Sequence, residues 1–248
     1  MTEVETLWRR LNERFVRAFA TYGLLADGDR VLVGLSGGKD SLCLLELLAR
    51  RARIHHPRFS VEALHVRMTN VAYESSTDAL ERFCQELDVP LHVVTTGFEV
   101  GEGSIHSGRD ARRQKSPCFL CSWYRRKQLF NMAQQLGCNK IALGHHQDDL
   151  LKTALMNLTF QGRFDTMPAR LPLAKMPLTI IRPLCLCQES DIQRYAQLRG
   201  YEPQAKRCPY EHESHRTDIG QLFQCMEQMN PEARFSLWNA LNAAGKVG

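Results

Sequence analysis

The chain has 248 residues, 44% of them hydrophobic, with 32 Lys and Arg against 27 Asp and Glu for a net charge of +5. That length buries a full core as one domain or one and a half without disulfide staples, and the composition excludes fibrous and disordered classes. No apolar run of about 18 residues occurs, which excludes a membrane-spanning helix, and the leading MTEVETLWRRLNERF is polar and amphipathic without a secretory apolar core, so a cytoplasmic protein with no membrane partner is expected.

Residues 1–25 read as an amphipathic helix. RVLVGLS (30–36), rich in Val and Leu and ended by Gly37 and Gly38, suits a strand buried on both faces. DSLCLLELLARRAR then repeats its apolar positions at helical spacing. FSVEALHV (59–66) predicts a second strand, STDALERFCQEL a helix and PLHVVTT (90–96) a third strand. Residues 97–116 are rich in Gly, Ser and charge and read as a loop. Helical periodicity resumes after Cys121 and runs to Leu136. KIALGHH (140–146) predicts a fourth strand and DDLLKTALMNLTF a helix; a Pro-rich, partly basic loop (161–177) precedes a fifth strand, LTIIRPL, and the helix ESDIQRYAQLRG. From about residue 205 the chain reads as loop plus two short helices, the second starting at Pro231. The alternation predicts an α/β fold, a doubly wound parallel five-stranded sheet with N- and C-terminal helical additions. The expected organisation is an N-terminal helix (1–25), an α/β domain (26–204) interrupted by an insertion (97–127), and a helical tail (205–248).

The charge is concentrated. Between Arg109 and Lys127 lie Arg109, Arg112, Arg113, Lys115, Arg125, Arg126 and Lys127 against Asp110 alone, so this window carries +6 and the rest of the chain −1. Such a run is either a solvated helix face or a site for a polyanion, since phosphates attract clustered cations. Cys118 and Cys121 sit within it as PCFLCSWYRRKQLF. In a reducing compartment thiols persist unless a metal or a catalytic cycle takes them, so some of the nine cysteines are expected to be ligands. The pair alone leaves zinc, a redox dithiol and an iron–sulfur cluster open. Cys43, Cys84, Cys138 and Cys225 lie in apolar or helical contexts and are expected in the core; Cys185 and Cys187 are expected to alternate on one strand face, with a persulfide carrier as the alternative to packing.

GLSGGKDS (34–41) joins the first strand to the first sheet helix. Glycines let backbone N–H groups turn toward one spot, and the helix adds its positive dipole end, so the turn is an anion cradle. A Walker loop is excluded, because it requires glycine at Val33 and a hydroxyl at Asp40. LGHHQDDLLKT, after the fourth strand, brings Gly144, His145, Asp148 and Asp149 to the same sheet edge, where a carboxylate is a cap or a metal ligand.

SGGKDS resembles the PP-loop of the N-type ATP pyrophosphatases, an adenine-nucleotide alpha-hydrolase-like fold. That resemblance implies that Ser36, Gly37, Gly38 and Ser41 hold the pyrophosphate part of ATP, that Lys39 neutralises it, that Asp40 helps hold Mg²⁺, and that Gly144, His145 and Asp149 complete the nucleotide site. Together with Cys-x-x-Cys before a cationic helix, LGHH-x-DD, GRFDTMPARL, Ile-Arg-Pro-Leu and a distal cysteine, the chain is similar over about residues 25–210 to the tRNA 2-thiocytidine synthetase family. The similarity implies that Cys118, Cys121 and Cys208 ligate a [4Fe-4S] cluster, leaving one iron without a protein ligand to hold hydrosulfide. It implies adenylation of a cytidine C2 carbonyl in the anticodon loop, catalysed with Asp40, Lys39, Cys118 and Cys121, and replacement of the oxygen by sulfur. The implied partners are tRNA, met by Arg112, Arg113, Arg125, Arg126 and Lys127 with Trp123 or Tyr124 stacking on a base, and a sulfur donor such as a cysteine desulfurase or sulfide; a homodimer is a further expectation. Thiolation of a uridine, and a non-catalytic iron–sulfur sensor, are the alternatives. The chain departs from the family pattern at Lys152-Thr153, where Glu-Thr or Gln-Thr is usual, and at Cys208, which Pro209, Tyr210 and Glu211 follow in place of a second Cys-x-x-Cys.

Overall fold

Val31, Leu32 and Val33 are fully buried, one strand feeding both faces of a sheet, as a continuous apolar run requires. In the computed structural model, which describes residues 2–54, 56–73, 76–98, 117–204, 206–207 and 215–248, this strand is β1 (Asp29–Gly34). It is preceded by α1 (Glu3–Tyr22) and followed by α2 (Lys39–Ala52), β2 (Phe59–Met68), β3 (Ala72–Tyr73), α3 (Asp78–Leu87) and β4 (Leu91–Thr96). Then come α4 (Pro117–Gln135), β5 (Lys140–Ala142), α5 (Gln147–Gln161), β6 (Arg170–Pro172), β7 (Thr179–Ile181), α6 (Glu189–Arg199), β8 (Lys206–Arg207), α7 (Arg216–Met229) and α8 (Ala233–Ala243).

The main sheet has the order β4-β2-β1-β5-β7-β6. Its pairs are parallel except β6, which runs antiparallel to β7. The order reverses between β1 and β5, and the carboxyl ends at such a reversal leave the crevice in which α/β proteins bind ligands. The parallel α/β sheet is as expected, with six strands where five were expected. Arg170–Pro172 escaped the sequence reading because all three residues of this short edge strand are exposed, so no apolar alternation marks them. Two strands are shorter than expected: β5 stops at Ala142, and β7 at Ile181, since Pro183 has no N–H to extend a ladder. β3 and β8 form a separate antiparallel pair, Ala72 opposite Arg207.

The two faces are covered unequally. On one, Val31, Val33, Ala63, Ala142 and Ile181 pack with buried side chains of α1, α2, α3, α5, α7 and α8 in one cluster. On the other, Leu32, Leu64, Val66 and Ile141 meet Leu120 and Ala133 of α4, the one helix on that face among the described residues. α1 belongs to the first cluster through Leu7, Leu11, Phe15 and Ala18; its start is fixed by Thr2, whose hydroxyl accepts the Glu5 N–H at 3.2 Å while Glu5 accepts the Thr2 N–H at 2.7 Å. Glu46, fully buried in α2, ties that helix to α6 and the segment after it by accepting from Tyr201 Oη at 2.6 Å, Tyr195 Oη at 3.3 Å and Arg199 Nε at 3.4 Å, with Arg50 of its own helix as a further donor. No helix among the described residues is long and apolar enough to cross a membrane.

Candidate active site

The turn from β1 into α2 is held by its own hydroxyls. Gly38 donates its N–H to Ser36 Oγ at 3.3 Å, Ser41 Oγ donates to the Gly38 carbonyl at 2.9 Å, and the two serine oxygens lie 3.1 Å apart. Gly37 sits at φ +82°, and a Cβ there would meet Gln204 Cβ at 2.7 Å, so glycine is required twice over. The Gln204 N–H donates to the Gly37 carbonyl at 2.9 Å. The backbone groups at the start of α2 are thus presented at the carboxyl end of β1 as an anion cradle.

Lys39 Nζ stands 3.2 Å from Asp40 Oδ2 and 3.3 Å from Glu189 Oε1. Burial would lower its pKa, but these two carboxylates outweigh it and raise it, so the ammonium stays charged and held ready beside the cradle. Glu189 also accepts from Lys152 Nζ at 3.1 Å, which accounts for the charge-reversed position 152: Lys152 holds the acid that holds Lys39.

The loop after β5 reaches the same place. A Cβ on Gly144 would lie 3.1 Å from the backbone of Asp40 and Ser41, a crowding that glycine avoids. Buried His146, rather than His145, caps α5, and its Nε2 lies 3.8 Å from Asp40 Oδ1 and 3.5 Å from Asp149 Oδ2. Asp40 and Asp149 therefore converge on one imidazole edge. Asp40 Oδ1 is buried and accepts no hydrogen bond. Two carboxylates at one place suit Mg²⁺, an ion held by one or two carboxylates plus substrate phosphates. Asp148 is different. Burial would raise its pKa, but hydrogen bonds from Arg234 at 2.7 Å and from the Glu189 N–H at 2.8 Å outweigh it and hold the carboxyl below the usual range. It caps α6 and anchors α8. Burial, helped by the positive charge of Arg182, pulls His145 down to about 4.

On the thinly covered face, Cys118 and Cys121 lie on the first turns of α4, which begins at Pro117 rather than after the pair, so the two thiols share one side of the helix. Cys118 is exposed and Cys121 half-buried. One turn on, Arg125 lines a cleft of about 160 Å³ with Gly34, Leu35, Ser36, Leu64, Val66, Leu129 and Leu143. The apolar cleft suits the flat ring of a nucleotide base beside the phosphate cradle. Arg125 thus faces inward, whereas Arg126 and Lys127 are exposed. Tyr124 stacks on Phe98 with centroids 6.2 Å apart and packs into the second cluster; Trp123, under Lys127 Nζ at 5.4 Å, is the aromatic left for a ligand. Arg112, Arg113 and Cys208 lie outside the described residues. In sequence Cys208 directly follows β8. Cys118 and Cys121 thus present two thiols on one accessible helix face, which fits part of an iron–sulfur ligand set.

The remaining cysteines divide. Cys43, Cys84 and Cys138 are buried as expected, but Cys225 is exposed, because α7 turns Ile219 and Phe223 inward and leaves position 225 outside. Cys185 and Cys187 lie in the turn after Pro183 rather than on a strand, both fully buried, and burial pushes the Cys187 thiol up to about 12 and Cys185 higher still. Burial holds both in the thiol form and away from solvent. Sequence reading missed Glu189, Arg182 and Arg234; Ile-Arg-Pro-Leu was the one visible sign of the second.

This geometry defines a nucleotide-binding α/β protein whose phosphate loop has the pyrophosphatase form. Residues 7–204 match the PP-loop domain family, and the chain belongs to it. It is 34% identical over 201 residues to a tRNA-cytidine(32) 2-sulfurtransferase of Shewanella sp. (strain W3-18-1), covering 81% of this chain and 62% of that protein. To the protein of the same name from Methylococcus capsulatus it is 37% identical, over 80% of this chain and 66% of that one. The chain thus spans less than two thirds of the length of these relatives. Among solved structures, the U34-tRNA thiolase NcsA from Methanococcus maripaludis, with its [4Fe-4S] cluster, has the same fold, with a TM-score of 0.75 at 23% identity over 97% of this chain and 79% of that one.

Proposed function

We propose that this chain is an ATP-dependent tRNA sulfurtransferase that exchanges the C2 oxygen of a cytidine, position 32 by likeness to its relatives, for sulfur. The observation that carries the reading is the shared cleft: Ser36 of the phosphate loop and Arg125 of the cysteine helix line one cavity. A pyrimidine between them meets activation from one side and thiolates from the other.

In this reading the cradle of Ser36, Gly37, Gly38 and Ser41 binds the β- and γ-phosphates, and Lys39 leaves Glu189 for them. Asp40 and Asp149 hold Mg²⁺ against the phosphates. The C2 oxygen attacks the α-phosphorus, pyrophosphate leaves, and the base becomes O-adenylated; addition of hydrosulfide sulfur at C2 then expels AMP with the original oxygen. Cys118, Cys121 and Cys208 would hold a [4Fe-4S] cluster, which when bound supplies an iron open to the sulfur nucleophile. Arg126 and Lys127 offset the cluster's charge and attract tRNA phosphates, with Arg112 and Arg113 extending the patch. The sulfur comes from a cysteine desulfurase or free sulfide, and the work is done in the cytoplasm, where tRNA is. Anaerobically reconstituted protein given ATP, Mg²⁺, sulfide and unmodified tRNA is expected to form AMP, pyrophosphate and 2-thiocytidine, seen by nucleoside mass spectrometry. Nucleotide and RNA binding without turnover would leave a sensor instead.

A further inference from the structure

Arg182 follows β7 at the carboxyl edge of the sheet and is 7% exposed. Its Nη1 donates to the Pro168 carbonyl at 2.5 Å, while its buried Nε has no hydrogen-bond partner. Among the described residues, the charged and titratable groups acting on it are Arg126, which repels it, and the Cys185 thiol, with no carboxylate among them; burial and Arg126 bring the guanidinium down to about 10. In the loop after the adjoining strand, where Ala142 pairs with Ile181, His145 has a second buried and unpartnered atom, Nδ1, and feels the charge of Arg182.

A buried cation without a counter-charge is costly, and a second cation beside it raises that cost. An anionic ligand that hydrogen-bonds the guanidinium supplies the missing charge and offsets that cost. The place matters too: the carboxyl edge of β7 is one strand removed from the loop of Gly144 and Asp149.

We propose that Arg182 is an anion-holding residue, its guanidinium receiving a phosphate oxyanion, with Arg126 adding positive charge and His145 a ring nitrogen. Phosphate is the chemistry that both ATP and an RNA backbone carry. The nucleotide arm needs only the PP-loop fold; the RNA arm rests on the function proposed above.

The test uses the full chain with Arg182→Gln and Arg182→Lys. Affinities are measured separately for α,β-methylene ATP with Mg²⁺ and for an unmodified anticodon stem-loop RNA, together with the melting temperature without ligand. Arg182→Gln is expected to weaken one of the two ligands roughly ten-fold or more and Arg182→Lys less, as loss of a charge-assisted contact does. Loss of the contact to the Pro168 carbonyl lowers the ligand-free melting temperature in itself, so the affinities decide. Weakening of the nucleotide alone places the oxyanion on ATP, and weakening of RNA alone places it on the substrate backbone. Unchanged affinities for both, with a lower melting temperature in both variants, would show a structural arginine and overturn the proposal. Binding is read without turnover, so this result is independent of whether thiolation is observed.

Discussion

The two faces of the sheet differ in the thiols they leave open, though the α4 face also buries one, Cys138. Under α1, α2 and α6 the thiols of Cys43, Cys185 and Cys187 are fully buried and pushed up by burial, and Asp148 is locked between Arg234 and the start of α6. Under α4 alone, Cys118 is exposed, Cys121 half-buried, and cations follow within two turns. The thick face fixes the carboxyl edge in place; the thin face leaves reactive groups open to a ligand. Packing, rather than residue type, decides which cysteine can do chemistry.

The comparison breaks most sharply at the cysteines. Cys118→Ala is expected to lose the brown chromophore of reconstituted protein and all thiolation, whereas Cys187→Ala should keep both; visible absorption and nucleoside mass spectrometry read the pair. Next in size, Lys39→Ala should lower pyrophosphate release about 10²–10³-fold, the scale of removing one charge-stabilising group, with cluster absorbance unchanged, since Lys39 belongs to the cradle and not to α4.

A smaller effect sharpens the thick side. His145 holds its proton with a pKa of about 4 when folded, against about 6.5 unfolded. As pH falls through 6.5 the unfolded chain takes up the proton first, so stability drops between 6.5 and 4 and levels off below. The loss amounts to at most ~3 kcal/mol. His145→Gln should flatten chemical denaturation midpoints across that window. The smallest effect belongs to the thin side: Trp123→Ala should weaken anticodon stem-loop RNA by ~1–3 kcal/mol, the worth of one stacked base, while Tyr124→Ala, a core change, should lower stability instead.

Local signals made the α/β order, the phosphate loop and the cysteine helix legible in the sequence: the Val and Leu run ended by Gly37 and Gly38, the Asp pair opening α5, and cations spaced along one helix. What stayed hidden depends on partners far away in the chain. Glu189 reaches Lys39 across 150 residues and Arg234 reaches Asp148 across 86, and neither contact leaves a periodic trace. Cys185 and Cys187 misled because alternating apolar residues read as strand, while Pro183 had already ended the ladder. Asp148 and Asp149 read as equals in sequence; only the fold turns one into a structural anchor and the other toward the phosphate loop.

The phosphate loop and the cysteine helix open on one cavity. Electron paramagnetic resonance of the reduced, reconstituted chain, with Mn²⁺ in place of Mg²⁺ and α,β-methylene ATP bound, tests it directly. Mn²⁺ and nucleotide together are expected to broaden the cluster signal and speed its relaxation, and Asp40→Ala to abolish the effect. A cluster signal indifferent to saturating Mn²⁺ and nucleotide would place the two centres apart and contradict it.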